Sequence, residues 1–139
     1  MGINILALND LHLNHPHIPA SDTHDNLKRL LYPLLVQGNI DMLSIGGDFF
    51  DSALYLDDVG SLHAMEIMTE LCQLAKQHDF AIRVIRGTYT HDRDQLAQMI
   101  PIARKHGIDF AYYTGIAVDV YKGFSFCICL TIFHLLWRQ

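Results

Sequence analysis

The sequence predicts an α/β fold in which helices pack on a largely parallel sheet. Two observations carry that expectation. Short apolar runs of strand length alternate along the chain with longer segments whose apolar residues recur at helical spacing. Three of the runs also end in polar clusters: Asp10 with His12, Asp48 with Asp51, and His91 with Asp92. The carboxyl ends of parallel strands share one edge of a sheet, and that edge is where open α/β sheets place ligands.

The first strand is Ile3 to Leu8. Leu13 to Thr23, with two prolines and two histidines, reads as loop. Ser21, Asp22 or Thr23 is placed to cap a helix beginning near His24. Leu27, Leu30, Leu31, Leu34 and Leu35 give that helix its apolar face, Pro33 kinks or shortens it, and Gly38-Asn39 ends it. The second strand is about Asp41 to Ile45, followed by an acidic loop through Gly60. Leu62, Met65, Met68, Leu71, Cys72 and Ala75 line one face of a long helix that runs to about His78. The third strand is Ala81 to Ile85. A helix over Arg93 to His106, interrupted by Pro101, stops at Gly107. Phe110 to Tyr113 and Ile116 to Tyr121 read as strands, Lys122-Gly123 as a hairpin turn, and Phe124 to Phe133 as the next strand. No internal repeat or low-complexity linker divides the chain, so its 139 residues are expected to form a single domain.

Composition narrows the function. Half of the residues are apolar and 18% are charged, which is ordinary for a globular protein. A net charge of -5 offers no general attraction to nucleic acid or to an anionic membrane, although bound cations would reverse the sign of an acidic site. The nine histidines are the unusual feature, and His12, His15 and His17 fall within six residues. Cys72, Cys127 and Cys129 do not form a paired-cysteine zinc motif. Their odd number and a start without secretory features point to reduced thiols and a cytoplasmic location. Cys127 and Cys129 alternate along one strand and are expected as small core residues. The apolar stretch from Phe124 to Trp137 contains Ser125, Thr131 and His134 and is shorter than the roughly 20 residues of a membrane span.

The ligand types in the three clusters suit transition-metal chemistry. Carboxylate and imidazole together fit manganese, iron or zinc better than calcium. In Asp10-Leu11-His12, residues two apart on an extended strand end face the same side, so both reach one ion. Asp48 follows two glycines and carries two oxygens, enough to bridge a pair of ions about 3.5–4 Å apart. His91 is placed to serve as a general acid. Any one cluster alone also fits a solvated loop, a turn or a helix cap. Their order and their shared position after strands favour the metal reading.

These blocks resemble the calcineurin-like metallophosphoesterases, whose ordered signature runs Asp-x-His, Gly-Asp-x-x-Asp, Gly-Asn-His-Asp, a lone His, then Gly-His-x-His. Asp10-Leu11-His12 matches the first block, and Gly47-Asp48-Phe49-Phe50-Asp51 matches the second in full. Gly87-Thr88-Tyr89-Thr90-His91-Asp92 is similar to the third, in a form that resembles phage-type relatives of the SbcD/Mre nuclease branch. The resemblance spans about Asn4 to Lys122. It implies a layered metallophosphoesterase-like fold and hydrolysis of a phosphodiester, with DNA as the leading substrate. It also implies two divalent cations, manganese first, with iron, zinc or magnesium as alternatives, and an ATPase partner of the SbcC type. Asp10 and His12 would then hold the first ion, Asp48 would bridge, and His91 would assist the leaving group. Thr88, Asp51, Asp92 and His15 are the candidates for contact with the second ion or the substrate.

The sequence departs from that signature after His91. It contains no Gly-His-x-His, and its two later histidines read as a surface residue, His106, and a packed one, His134. Reliable ligands are therefore expected for one ion only, and the second half of the layered sandwich is expected to be incomplete. The change in character after about Phe126 reads as a truncated or frameshifted product. Two functions compete on these grounds: a metal-dependent phosphodiesterase, and a non-catalytic remnant that holds one ion or docks a partner.

Overall fold

The computed structural model describes residues 2–128. Among them, four strands form one parallel sheet in the order β1-β2-β3-β4: β1 (Ile5–Asn9), β2 (Met42–Gly46), β3 (Ala81–Ile85) and β4 (Phe110–Tyr113). The expected α/β class is observed. Leu8 lies opposite Ile45, which lies opposite Val84, which lies opposite Tyr112, so the four strands are in step across the sheet. Strands that follow one another in sequence and pair in parallel need a crossover, and here each crossover is helical.

The first crossover begins earlier than its sequence suggests. Helix α1 (Ala20–Asn26) starts directly after Pro19, and no side chain caps it. Ser21, Asp22 and Thr23 therefore lie inside its first turn, where Asp22 opposes the helix dipole favourably. A single wide turn, Leu27–Leu31, joins α1 to α2 (Tyr32–Gln37), and the Tyr32 amide reaches back five residues to the Leu27 carbonyl. Pro33 thus falls in the opening turn of α2, immediately after that wide turn. Leu27, Leu31 and Leu35 are buried, whereas Leu30 and Leu34 are exposed. The apolar face is narrower than the leucine pattern because only the four-residue spacing stays aligned through the wide turn.

Helix α3 (Val59–His78) is the long central crossover. It buries Ala64, Ile67, Met68, Leu71, Cys72 and Ala75, while Leu62 and Met65 point to solvent. The stripe is rotated from the expected one because small Ala64 and branched Ile67 supply its first turns. Burial raises the Cys72 thiol to about 11, so this cysteine packs as an unreactive apolar group. The third crossover is a short 3₁₀ turn (Gln95–Gln98) followed by α4 (Met99–His106). Pro101 sits in the first turn of α4 and Gly107 ends the helix at φ 64°, a left-handed conformation suited to glycine.

The sheet's faces are unlike. Leu43, Ile45, Ile82 and Val84 join the helices' apolar residues in one core. On the opposite face Arg83 is buried, held by the Asp109 carboxylate at 2.9 Å and by the Asp119 carboxylate. Asp119 belongs to β5 (Ala117–Tyr121), which pairs antiparallel with β6 (Phe124–Ile128) through a two-residue turn. Lys122 and Gly123 have φ of 49° and 82°, as such a hairpin requires. Cys127 is exposed rather than packed, because it stands opposite Val118 on the hairpin's outer face. Cys129 and His134, and the strand expected beyond Ile128, lie outside the described residues. Among the described residues no helix is long and apolar enough to cross a membrane.

Pairing continues past the ends of β1 and β2. The amides of His12 and Leu13 donate to the carbonyls of Asp48 and Phe49 at 3.1 and 2.8 Å, and the Asp51 amide donates to the Leu13 carbonyl at 2.9 Å. Leu13, Phe49 and Phe50 point down into the core, each 0–1% exposed. They form the floor beneath the loops that carry the polar clusters. Leu13→Ala is expected to lower stability by about 3 kcal/mol, the usual cost of a buried leucine truncation, measured by urea unfolding.

Candidate metal centre

Three loops meet at the carboxyl edge of the sheet. Asp10 and His12 come from the loop after β1, Asp48 and Asp51 from the loop after β2, and His91 and Asp92 from the loop after β3. Asp10, His12 and Asp48 each offer a ligand atom within 4.8 Å of the others, and so do His12, Asp51 and His91. The two groups share His12. Its Nδ1 lies 3.4 Å from the Asp51 carboxylate, and its ring meets the His91 ring edge-on at 5.1 Å between centroids.

The backbone that gathers these groups is not extended. Asp10, His12 and Asp48 have φ of 50°, 47° and 44°, and Gly47 has 74°. Asp10 and His12 therefore converge through left-handed turns, not through the pleat of a strand end. Side chains other than glycine pay for such a conformation by roughly 1–3 kcal/mol each, and residues held there cluster at functional sites. The zipper between the two loops, from Asp10 to Asp51, supplies the hydrogen bonds that hold them.

From the β3 side, the Thr88 amide and hydroxyl both donate to Asp48 Oδ1, at 2.7 and 3.1 Å. Thr88 thus orients the carboxylate and leaves Oδ2 for a cation. Asp92 plays a different part. It is fully buried and accepts the amides of Phe50 at 3.0 Å and Gly87 at 2.6 Å, joining the second loop to the third. Burial raises its carboxyl above the ordinary value, against the lowering effect of those amides. Its side chain neither caps the following turn nor enters either ligand group. His15 stands apart as well: its Nδ1 accepts the His17 amide, and its ring lies beside that of His17.

The chemistry of the donors fits a divalent cation. His91 Nδ1 is buried without a hydrogen-bond partner, a costly state that a ligand or proton acceptor at this point would relieve. Two imidazoles and three carboxylates on one edge form a mixed nitrogen and oxygen set suited to manganese, iron or zinc. Gly87 shows how tightly the loops meet. A Cβ at this position would overlap the Asp48 amide nitrogen and carboxylate and lie 2.8 Å from Asp92 Oδ2. The sequence marks Gly87 only as one member of a motif, and nothing in it discloses that Thr88 and Asp92 act on Asp48 and Phe50.

In comparisons with known proteins, no family model and no curated protein matches this chain. What is established is an α/β domain with candidate metal-binding histidine and aspartate groups at the edge of its parallel sheet.

Gly87→Ala is expected to destabilise the protein by roughly 1–3 kcal/mol, the range for forced overpacking, and to weaken manganese binding by displacing Asp48. Gly115→Ala is the control, since open space surrounds that position. Unfolding curves and manganese titration of both variants check this. A Gly87→Ala protein as stable as Gly115→Ala would contradict it.

Proposed function

We propose that this chain is a metal-dependent phosphoesterase acting on a phosphodiester, with DNA as the leading substrate and manganese as the leading metal. The observation that carries the reading is the convergence of Asp10, His12, Asp48, Asp51 and His91 from three separate loops, with one nitrogen of His91 left unpartnered. Structural loops rarely gather so many acidic and imidazole groups around left-handed backbone with a buried polar atom unsatisfied.

A divalent cation bound here supplies positive charge for phosphate oxygens and acidifies water. The chain's own groups do the rest. Asp10, His12 and Asp48 hold the cation, with Asp48 fixed in place by Thr88. His91, half-buried beside His12 and Asp51, moves a proton to the leaving oxygen. Asp92 keeps the second and third loops in register. The acidic chain meets its polyanionic substrate only where the cation reverses the local sign. An ATPase of the SbcC type is the partner this reading brings with it.

The test is hydrolysis of a simple aryl phosphodiester with added manganese. Asp48→Asn is expected to abolish turnover while leaving the fold intact by circular dichroism. Equal manganese-dependent turnover in both proteins would sink the proposal. His91→Asn is expected to lower kcat by about 10²–10⁴, the usual contribution of a general acid, and to flatten the pH profile with manganese affinity unchanged. If manganese affinity falls in parallel with kcat, His91 is a ligand and not the acid.

A second reading rests on the sharing of His12 between the two ligand groups. One imidazole cannot place two ions at the short spacing of a two-metal site, so the donors as arranged serve one ion well. A protein that binds a single cation without turnover would follow from that. Turnover at saturating manganese separates the two readings: manganese-dependent hydrolysis of the diester supports the phosphodiesterase, and manganese binding that Asp48→Asn abolishes, with no turnover, supports the binding protein.

A further inference from the structure

A second group of ligands lies away from the sheet edge, on the helices. His24 of α1 is 2% exposed, and its Nδ1 faces His63 Nδ1 of α3 at 3.2 Å. Glu66, one turn further along α3, places Oε2 at 3.4 Å from His24 Nδ1 and 3.5 Å from His63 Nδ1. The three atoms form a nearly equilateral triangle. Donors at three corners of a tetrahedron around zinc, with bonds of about 2.0–2.1 Å, lie roughly 3.3 Å apart.

The surroundings are also those of a metal ligand. His24 Nε2 meets the Glu70 carboxylate at 2.8 Å, and Glu70 is itself held by the Tyr32 hydroxyl at 2.8 Å and the Lys28 ammonium at 3.2 Å. A carboxylate on the far nitrogen of a histidine fixes the tautomer and turns the other nitrogen's lone pair outward. Here that puts the His24 Nδ1 lone pair opposite the Glu66 carboxylate, two acceptors facing each other at 3.4 Å. With His24 in this neutral tautomer the pair is repulsive unless a cation, a metal ion or a proton, lies between them, because the His63 proton can serve only one of the two. A cation at the centre of the triangle satisfies all three donors.

We infer that His24, His63 and Glu66 form a second transition-metal site of the zinc type, clipping α1 to α3, with Glu70 orienting His24 and solvent completing the coordination. The site shares no residue with the sheet-edge centre and does not depend on the function proposed for it. Its sequence trace is faint: His63 and Glu66 are spaced three apart on a helix, so they share a face, but their buried partner comes from 39 residues upstream.

The test uses the full chain carrying His12→Asn and Asp48→Asn, which takes a ligand from both sheet-edge groups. This protein is titrated with zinc, and with cobalt, whose visible absorption reports tetrahedral coordination. One equivalent is expected to bind and to raise the melting temperature. Adding His63→Ala, or Glu66→Gln at the more exposed position, is expected to abolish both effects with the far-ultraviolet spectrum unchanged. Glu70→Gln is expected to weaken binding by about 10–100-fold. Zinc binding in the background protein that persists through both His63→Ala and Glu66→Gln would overturn the inference. So would a folded background protein that binds neither metal.

Discussion

The candidate centre depends on one extension of regular structure: the hydrogen bonds between the loops after β1 and β2. Parallel strands normally part at their carboxyl ends, and the loops turn off to their helices. Here the Asp10, His12, Leu13 and Asp51 amides keep the two loops paired for several residues beyond the sheet. The pairing fixes Leu13, Phe49 and Phe50 downward into the core. It also holds Asp10, His12 and Asp48 in left-handed conformations that an isolated loop would leave. The stability of the floor and the geometry of the ligands are therefore one property.

The third loop is attached through the buried carboxylate of Asp92 and through Thr88, which donates to Asp48. Asp92 binds backbone on both sides of the junction, at Phe50 and at Gly87. At Gly87 the third loop presses against the second, and a side chain there would overlap Asp48, the carboxylate that Thr88 reaches. Farther away, Arg83 uses its buried charge to fasten the β5–β6 hairpin to the sheet through Asp119. Polar groups thus bind the pieces together at the sheet edge and on one sheet face, while the opposite face relies on apolar packing against the helices.

Much of this was legible in the sequence, because hydrophobic periodicity is local. All four parallel strands and the hairpin turn follow from short apolar runs and from Lys122-Gly123. The start of α1 did not, since Pro19 serves where a capping side chain was expected. Nor did the true buried stripes, in which Leu30, Leu34, Leu62 and Met65 gave way to residues aligned by a wide turn or by smaller side chains. For the site, the strand-end clusters were visible as motifs, but the left-handed turns that gather Asp10 and His12 were not. The hydrogen bonds from Thr88 to Asp48 and from Phe50 to Asp92 cross about 40 residues of chain, and no local pattern encodes them. The helical group of His24, His63 and Glu66 is hidden for the same reason.

The central claim is that the sheet edge is a metal centre built on Asp48. Anomalous diffraction from crystals grown with manganese tests it most directly. The account predicts an anomalous peak within coordination distance of Asp10, His12 and Asp48. Crystals saturated with manganese that show no peak at those three side chains, and ions only elsewhere on the surface, would contradict it.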